Sequence, residues 1–351
     1  MDSFKQEIYR WFLINKRDLP WRETTDPYKI WISEIILQQT RVIQGIDYYN
    51  RFIAEFQNVS ELANATEDKV LKLWQGLGYY TRARNLHFTA KYIVNNYYGV
   101  FPNDFNAILK LKGVGNYTAA AIASIAFNLP HAVVDGNIYR VLSRLFGITT
   151  PIDTEKGKKE IQKIADDFID IHNPGFHNQA FMEFGALQCI PKSPDCKSCP
   201  LLIYCYAAQH NLQDKLPLKS KKIKQTTRYF YYYIVEHRNF ILLEKRTGKD
   251  IWENLHQFPL FESEKELTDD EIMNLKPSFL NESEIIIKSV SGTIKHILTH
   301  QTIYARFMHL ETDLNNFNQS NIFRINKKDI YKFAVPKLLE QYLERLDFTG
   351  N

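Results

Sequence analysis

An all-helical N-terminal part followed by a smaller α+β domain is the architecture encoded in this chain. Up to residue 215 apolar side chains recur at helical spacing, with glycine-containing turns between the segments. After a basic connector the pattern changes to β-branched and aromatic runs that alternate with short polar turns. At 351 residues the chain is long enough to fill two hydrophobic cores.

The elements follow in order. Phe4, Ile8, Trp11 and Phe12 fall on one helical face, and Pro20 closes that segment. Asp26-Pro27 supplies an N-cap and a first-turn proline, opening a helix expected to run through Gln39. Further helices are expected over 42–56, 67–74, 82–97, 103–111, 117–127, 136–146, 155–170 and 177–188. Together these make an all-α domain over 1–215. A linker over 216–227 follows, where Lys215, Lys219, Lys221, Lys222, Lys224 and Arg228 concentrate. By itself such a run is a solvated connector. Arg228 to Val235 and Phe240 to Leu243, joined by His237-Arg238-Asn239, read as a hairpin. Strands at 285–287 and 302–308 and helices at 269–274 and 335–346 complete an α+β domain over 228–346.

Composition limits the class. Hydrophobic residues at 44% and aromatics at 14% describe an ordered globular protein. A formal net charge of +4 is too mild to identify a nucleic-acid binder by itself. The start, Met1-Asp2-Ser3-Phe4-Lys5-Gln6-Glu7, has neither the basic beginning nor the apolar centre of a signal peptide. No apolar run approaches the ~20 residues that a membrane span requires. A soluble, intracellular protein is expected.

All four cysteines, Cys189, Cys196, Cys199 and Cys205, fall in the spacing C-x6-C-x2-C-x5-C. Four thiolates on one loop suit a [4Fe–4S] cluster or a tetrahedral zinc ion. Zinc sites usually show two CxxC-type pairs, and only Cys196 and Cys199 form one here. Pro191, Pro194 and Pro200 keep the loop over 189–205 out of long helices, so the sulfurs can converge. Two disulfides are the plain alternative, at odds with an intracellular chain. No flavin or nicotinamide motif accompanies the cysteines, which favours a structural role, with Lys192 and Lys197 turned to phosphates.

Three further segments carry chemistry. Leu111-Lys112-Gly113-Val114-Gly115-Asn116 lies between helices, within a helix-hairpin-helix over about 103–127. Gly113 and Gly115 allow a tight turn, and the amides that open the next helix suit a DNA phosphate. An ordinary helix–helix turn would also use glycine. Asp135, in Val134-Asp135-Gly136-Asn137, stands where an N-cap is expected; capping alone would explain it. Glu34 sits on a mostly apolar helical stripe with Ile30, Trp31 and Leu37, costly unless the carboxyl is neutral or paired. If Glu34 and Asp135 face one cleft, the first should be partly protonated and the second ionised. An acid can then protonate a leaving group while a carboxylate stabilises a cation.

These motifs, together with Leu19-Pro20-Trp21-Arg22, Ser33 to Thr40 and Gly76-Leu77-Gly78-Tyr79-Tyr80, resemble the endonuclease III superfamily of DNA glycosylases. Within it the likeness is to the MutY branch, adenine glycosylases acting opposite 8-oxoguanine. The resemblance implies that Gln39 and Leu77 probe or fill the duplex and that Tyr79 wedges beside 8-oxoguanine. It implies that Trp21, Arg22 and Gln179 grip an extruded adenine and that Glu34 protonates N7. Asp135 would stabilise the sugar cation, supported by Asn137 and Tyr117. Glu183, one turn after Gln179, serves the same pocket or supports a structural ion pair. Bifunctional members place a lysine where Tyr117 stands; a phenol forms no imine, so base removal without strand cleavage is expected.

The C-terminal domain resembles the Nudix-like domain of this branch, without the G-x5-E-x7-R-E-x-x-E-E box that binds metal for pyrophosphate hydrolysis. Leu298-Thr299-His300 stands where the branch has Phe-Ser-His against the oxidised guanine, so Thr299 and His300 are the expected contacts. The implied cofactor is a [4Fe–4S] cluster. The implied partner is double-stranded DNA with adenine opposite 8-oxoguanine or guanine, met by a monomer in a DNA-associated cytoplasmic setting, with no membrane.

Overall fold

Phe4, Ile8 and Phe12 recur every fourth residue, and the computed structural model places them on one buried face of the helix Ser3–Asn15. The structure describes residues 3–220, 225–280, 285–312, 314, 317 and 320–346. Met1 and Asp2, and Lys221, Lys222 and Lys224 of the basic connector, lie outside the described residues. The chain divides into two compact units, Met1–Ala65 with Asn85–Lys222, and Thr66–Arg84 with Ile223–Asn351.

The first unit is helical. Asp26 caps the helix Pro27–Leu37 by accepting from the Tyr28 amide at 2.9 Å. That helix stops two residues before the expected Gln39. The Thr40 amide bonds back to Leu37 O at 3.2 Å, and Gln39 takes a left-handed φ of 59°. The helices Val42–Glu55, Phe105–Leu109, Asn116–Phe127, Gly136–Phe146, Glu155–Phe168 and Pro174–Leu187 lie near their expected positions. A short helix, Val59–Asn64, was not foreseen. Asn58 and Glu61 build it by reciprocal capping, since the Asn58 side chain accepts from the Glu61 amide at 3.0 Å and donates to its carboxylate at 3.1 Å. Phe4, Ile8 and Phe12 share a core with Ile138, Val141 and Leu145 of Gly136–Phe146 and with Phe181 and Phe184 of Pro174–Leu187. The last two helices cross so closely at Gly185 that a Cβ there would lie 2.7 Å from Asn137 Cβ.

The second unit is built on a mixed sheet. Its strands among the described residues are β1 (Thr226–His237), β2 (Phe240–Lys245), β3 (His256–Gln257), β4 (Leu260–Ser263), β5 (Ile286–Val290), β6 (Ile294–Ile297), β7 (Gln301–Glu311) and β8 (Ile322–Asn326). β1 pairs parallel with β7 from Thr226 opposite Gln301 to Glu236 opposite Glu311. The expected hairpin joins β1 to β2, antiparallel. β8 and β3 flank β2, β4 pairs with β1, and β5 and β6 run against β7. Phe230 to Val235 are buried without alternation, as in a strand covered on both faces. Tyr231, Tyr233 and Val235 pack with Met308, Leu310 and Ile272 of the helix Asp269–Met273, while Phe307 stacks on Tyr342 of the helix Lys337–Leu343. The helix Glu67–Trp74 also belongs to this unit.

Candidate active site

The first unit holds a cavity of about 210 Å³ where most of the expected residues meet. Trp21, Arg22, Glu34, Tyr117, Asp135, Asn137, Gln179 and Glu183 all line it. Each arrives by local structure. Pro20–Arg22 forms a 3-10 turn that buries Trp21 edge-on to Tyr49. Glu34 sits mid-helix with Ile30, Trp31, Ile35 and Ile36 buried around it, and is itself only 6% exposed. Tyr117 opens the helix Asn116–Phe127 and donates its hydroxyl to Glu34 Oε2. Burial, helped by the charge of Asp135, lifts the Glu34 carboxyl from 4.5 to about 7 against the pull of the Tyr117 hydroxyl.

Asp135 is the N-cap of Gly136–Phe146. Its Oδ1 accepts from the Ile138 amide at 2.8 Å and its Oδ2 from Asn137 Nδ2 at 2.7 Å. Burial raises its pKa, while those donors and Arg140 pull the other way. Its two oxygens are thus held by donors that favour the ionised form, whereas Glu34 has the Tyr117 hydroxyl alone as an opposing hydrogen bond.

Glu183 forms an ion-pair clamp. Arg17 Nε reaches Oε1 at 2.9 Å and Arg17 Nη2 reaches Oε2 at 2.5 Å, while Arg22 Nη1 and Nη2 donate at 3.0 and 2.8 Å. The Arg17 amide adds a fifth donor at 2.9 Å. With the carboxylate 1% exposed and so fully engaged, its pKa falls to about 2 although burial opposes the shift. Of the two roles open from sequence, the structure displays the ion pair, on the cavity wall. Arg17 went unnoticed in the sequence, where it is one of several charges before Pro20. Met182, 4.0 Å from the Tyr117 hydroxyl through its sulfur, was also missed.

The remaining expected residues lie elsewhere. Gln39 is exposed on its left-handed turn. Gly113, at φ 84°, packs so close that a Cβ would meet Asn85 Cβ at 2.8 Å, and Gly115 N-caps Asn116–Phe127. Lys112 O accepts from the buried Thr89 hydroxyl at 2.8 Å, which fixes the hairpin from behind. Leu77, Tyr79, Thr299 and His300 line a second cavity of about 380 Å³ in the second unit, where the Tyr79 and Thr299 hydroxyls are hydrogen-bonded.

Cys189, Cys199 and Cys205 pack against the core that contains Phe181 and Phe184. Cys199 is pushed up to about 12 by burial and by the neighbouring thiols, so the sulfurs lie within electrostatic reach of one another. Among the described residues, no three His, Cys, Asp or Glu converge closely enough to hold a single metal ion. Two buried arginines fasten the loop, a signal present in the sequence as charges four apart on one helix. Arg144 Nη1 donates to Ile190 O at 2.7 Å and to Cys189 Sγ at 3.3 Å, and its Nη2 to Pro191 O at 2.9 Å. Arg140 donates to Cys189 O at 2.6 Å and to Asn137 Oδ1 at 2.9 Å. Among the described residues no helix is long and apolar enough to cross a membrane.

Residues 32–167 match the HhH-GPD superfamily of base excision DNA repair proteins, and residues 230–345 match the NUDIX domain. The chain is 37% identical over 333 residues to the adenine DNA glycosylase of Buchnera aphidicola subsp. Baizongia pistaciae, covering 93% of this chain and 90% of that protein. It is 38% identical over 223 residues to the human adenine DNA glycosylase, covering 61% of this chain and 41% of that protein. A thermostable thymine-DNA glycosylase structure aligns with a TM-score of 0.56 at 30% identity, over 60% of this chain and 96% of that one. Endonuclease III in a trapped DNA complex shares the fold, with a TM-score of 0.52 at 23% identity over 59% of this chain and 95% of that one. The expected architecture, a helix-hairpin-helix glycosylase domain before a Nudix-like one, is borne out, and the chain belongs to the adenine DNA glycosylases of this base excision repair superfamily.

Proposed function

We propose that this chain extrudes and hydrolytically removes adenine mispaired with 8-oxoguanine or guanine, and that it leaves the strand uncut. One observation carries the reading: Glu34, lifted to about 7, and Asp135, held by the Ile138 amide and the Asn137 side chain, line the same cavity. An enzyme acting on a stacked base must first swing it out. Trp21, Arg22 and Gln179 would then hold the ring. Protonated Glu34 would deliver its proton to N7, making the base a better leaving group, and Asp135 would stabilise the positive charge left on the sugar. Asn137 orients Asp135, and Tyr117 orients Glu34. The phenol of Tyr117 offers no amine for a Schiff base, which supports hydrolysis without lyase chemistry.

Gly113 and Gly115 would grip the phosphates, Gln39 and Leu77 would probe the stack, and Tyr79, Thr299 and His300 would read the oxidised guanine. The four cysteines would hold a [4Fe–4S] cluster. Four half-buried thiols on one loop that do not close on a single point suit a group whose irons each take one thiolate. Such a cluster would stiffen the loop that Arg140 and Arg144 fasten.

The experiment is product analysis on a duplex with adenine opposite 8-oxoguanine, with and without alkali. Free adenine and an alkali-dependent break are expected. Strand cleavage without alkali, or borohydride trapping of a covalent complex, would overturn the monofunctional reading.

A further inference from the structure

The turn bearing Leu77 and Tyr79 is built by its own segment. Gly76 and Gly78 adopt φ of 94° and 73°, and Tyr79 follows at 48°, a left-handed backbone that a non-glycine residue adopts only under constraint. The Gly78 carbonyl accepts from Trp74 Nε1 at 3.1 Å and Arg82 Nη2 at 3.2 Å. The Arg82 guanidinium lies 5.2 Å from the Trp74 ring and 5.5 Å from the Tyr79 ring, backing the turn with a cation.

The rest of the second unit then fastens this segment. Arg84 Nη1 donates to the Glu253 carbonyl at 2.6 Å and Nη2 to the Glu253 carboxylate at 2.7 Å, so one guanidinium grips two acceptors of a single residue. Glu253 is itself held by the chain after β2, because the Asn254 amide donates to Arg246 O at 2.8 Å and the Arg246 amide to Leu255 O at 2.9 Å, and Asn254 Nδ2 adds a second link to the segment through Glu67 Oε1 at 2.6 Å. On the other flank, Gln75 donates to Glu340 at 2.8 Å, and the Tyr80 hydroxyl donates to Val335 O at 3.3 Å. Residues 66–84 fall inside the stretch that matches the glycosylase superfamily, yet their partners come from the Nudix-like part.

We infer that the Nudix-like part is the mount for this turn, and that Glu253, acting through Arg84, is a positioning residue that sets how Leu77 and Tyr79 are presented to the mispair. The second domain would thus contribute to recognition through a finger it carries, in addition to its own Thr299. The inference rests on the reading of 8-oxoguanine proposed above.

The test compares the full-length protein with Glu253→Ala and Glu253→Gln. Hydrogen exchange reports on the amides of residues 76–81, and single-turnover adenine release is measured opposite 8-oxoguanine and opposite guanine. In Glu253→Ala those amides should exchange faster and the preference for 8-oxoguanine should fall about fivefold or more, with the melting midpoint unchanged. Glu253→Gln, which keeps an oxygen acceptor for Arg84, should recover most of both. Wild-type exchange and preference in Glu253→Ala would overturn the inference, as would equal slowing on both duplexes accompanied by a lower melting midpoint. A wild-type protein without preference would instead refute the 8-oxoguanine reading, and the exchange result would still decide whether Glu253 holds the turn.

Discussion

Tyr117→Phe removes one hydroxyl and little else, and it isolates the electrostatics of Glu34. In the folded chain that hydroxyl donates to Glu34 and pulls its carboxyl down, against burial and the charge of Asp135, which together lift it from 4.5 to about 7. A hydrogen bond to a charged acceptor contributes roughly 1.5–3 kcal/mol and one to a neutral acceptor about 1 kcal/mol. The ionised form therefore loses about 1 kcal/mol more than the protonated form when the donor goes. A tenfold change in proton affinity is worth about 1.4 kcal/mol, so the midpoint should rise by about 0.7 of a pH unit. Base release that needs protonated Glu34 falls as pH climbs through the midpoint. Single-turnover adenine release should accordingly decline near pH 7 in the wild type and about 0.7 of a pH unit later in Tyr117→Phe, with Glu34→Gln as the inactive baseline. An alkaline limb that stays put or moves to lower pH would show that another group governs it.

Asp135→Asn separates capping from chemistry. Asparagine caps helices as well as aspartate, so stability measured by thermal melting should stay within about 1 kcal/mol, while base release falls at least ~100-fold. Glu183→Ala strands Arg17 and Arg22 beside a wall that no longer balances them and should cost about 3–5 kcal/mol at neutral pH, read as a lower melting midpoint. Because the folded pKa of Glu183 is depressed to about 2, its contribution is present above 4.5 and disappears as pH falls from there toward 2, a window in which the variant should be less acid-sensitive than wild type. Gly113→Ala, strained at φ 84° and against Asn85, should weaken duplex binding about tenfold on matched and mismatched DNA alike, as anisotropy would report. Cys199→Ser should lower bound iron and absorbance near ~400 nm and expose the loop over 189–205 to protease, all measurable on the purified protein.

Much of the cavity was legible because its residues break local rules. A glutamate on an apolar stripe and an aspartate ahead of a helix draw notice in the sequence, and the structure brings both to one cavity. Arg17 was invisible because nothing in a run of surface-like charges says which one turns inward; its partner Glu183 is 166 residues away. Helices with a strong apolar period were placed to within a few residues, whereas Val59–Asn64 depends on reciprocal capping and β3, β4 and β6 are too short for alternation to register. The attachment of residues 66–84 to the second unit had no signature in composition, since it is made by polar pairs between distant segments.

Arg140 has a wider reach than its place on the helix suggests. It touches Cys189 O on one side and the Asn137 amide oxygen on the other, and that amide's nitrogen steadies Asp135. One guanidinium thus ties the cysteine loop to the N-cap of Gly136–Phe146, and its Nη2, which holds the Asn137 oxygen, also donates to Gly185 O at 2.6 Å, so the grip on the amide has a second anchor inside the neighbouring helix. The cysteine loop and the cavity that holds Asp135 therefore share one buried cation as a common brace, so the two regions should lose or keep their order together.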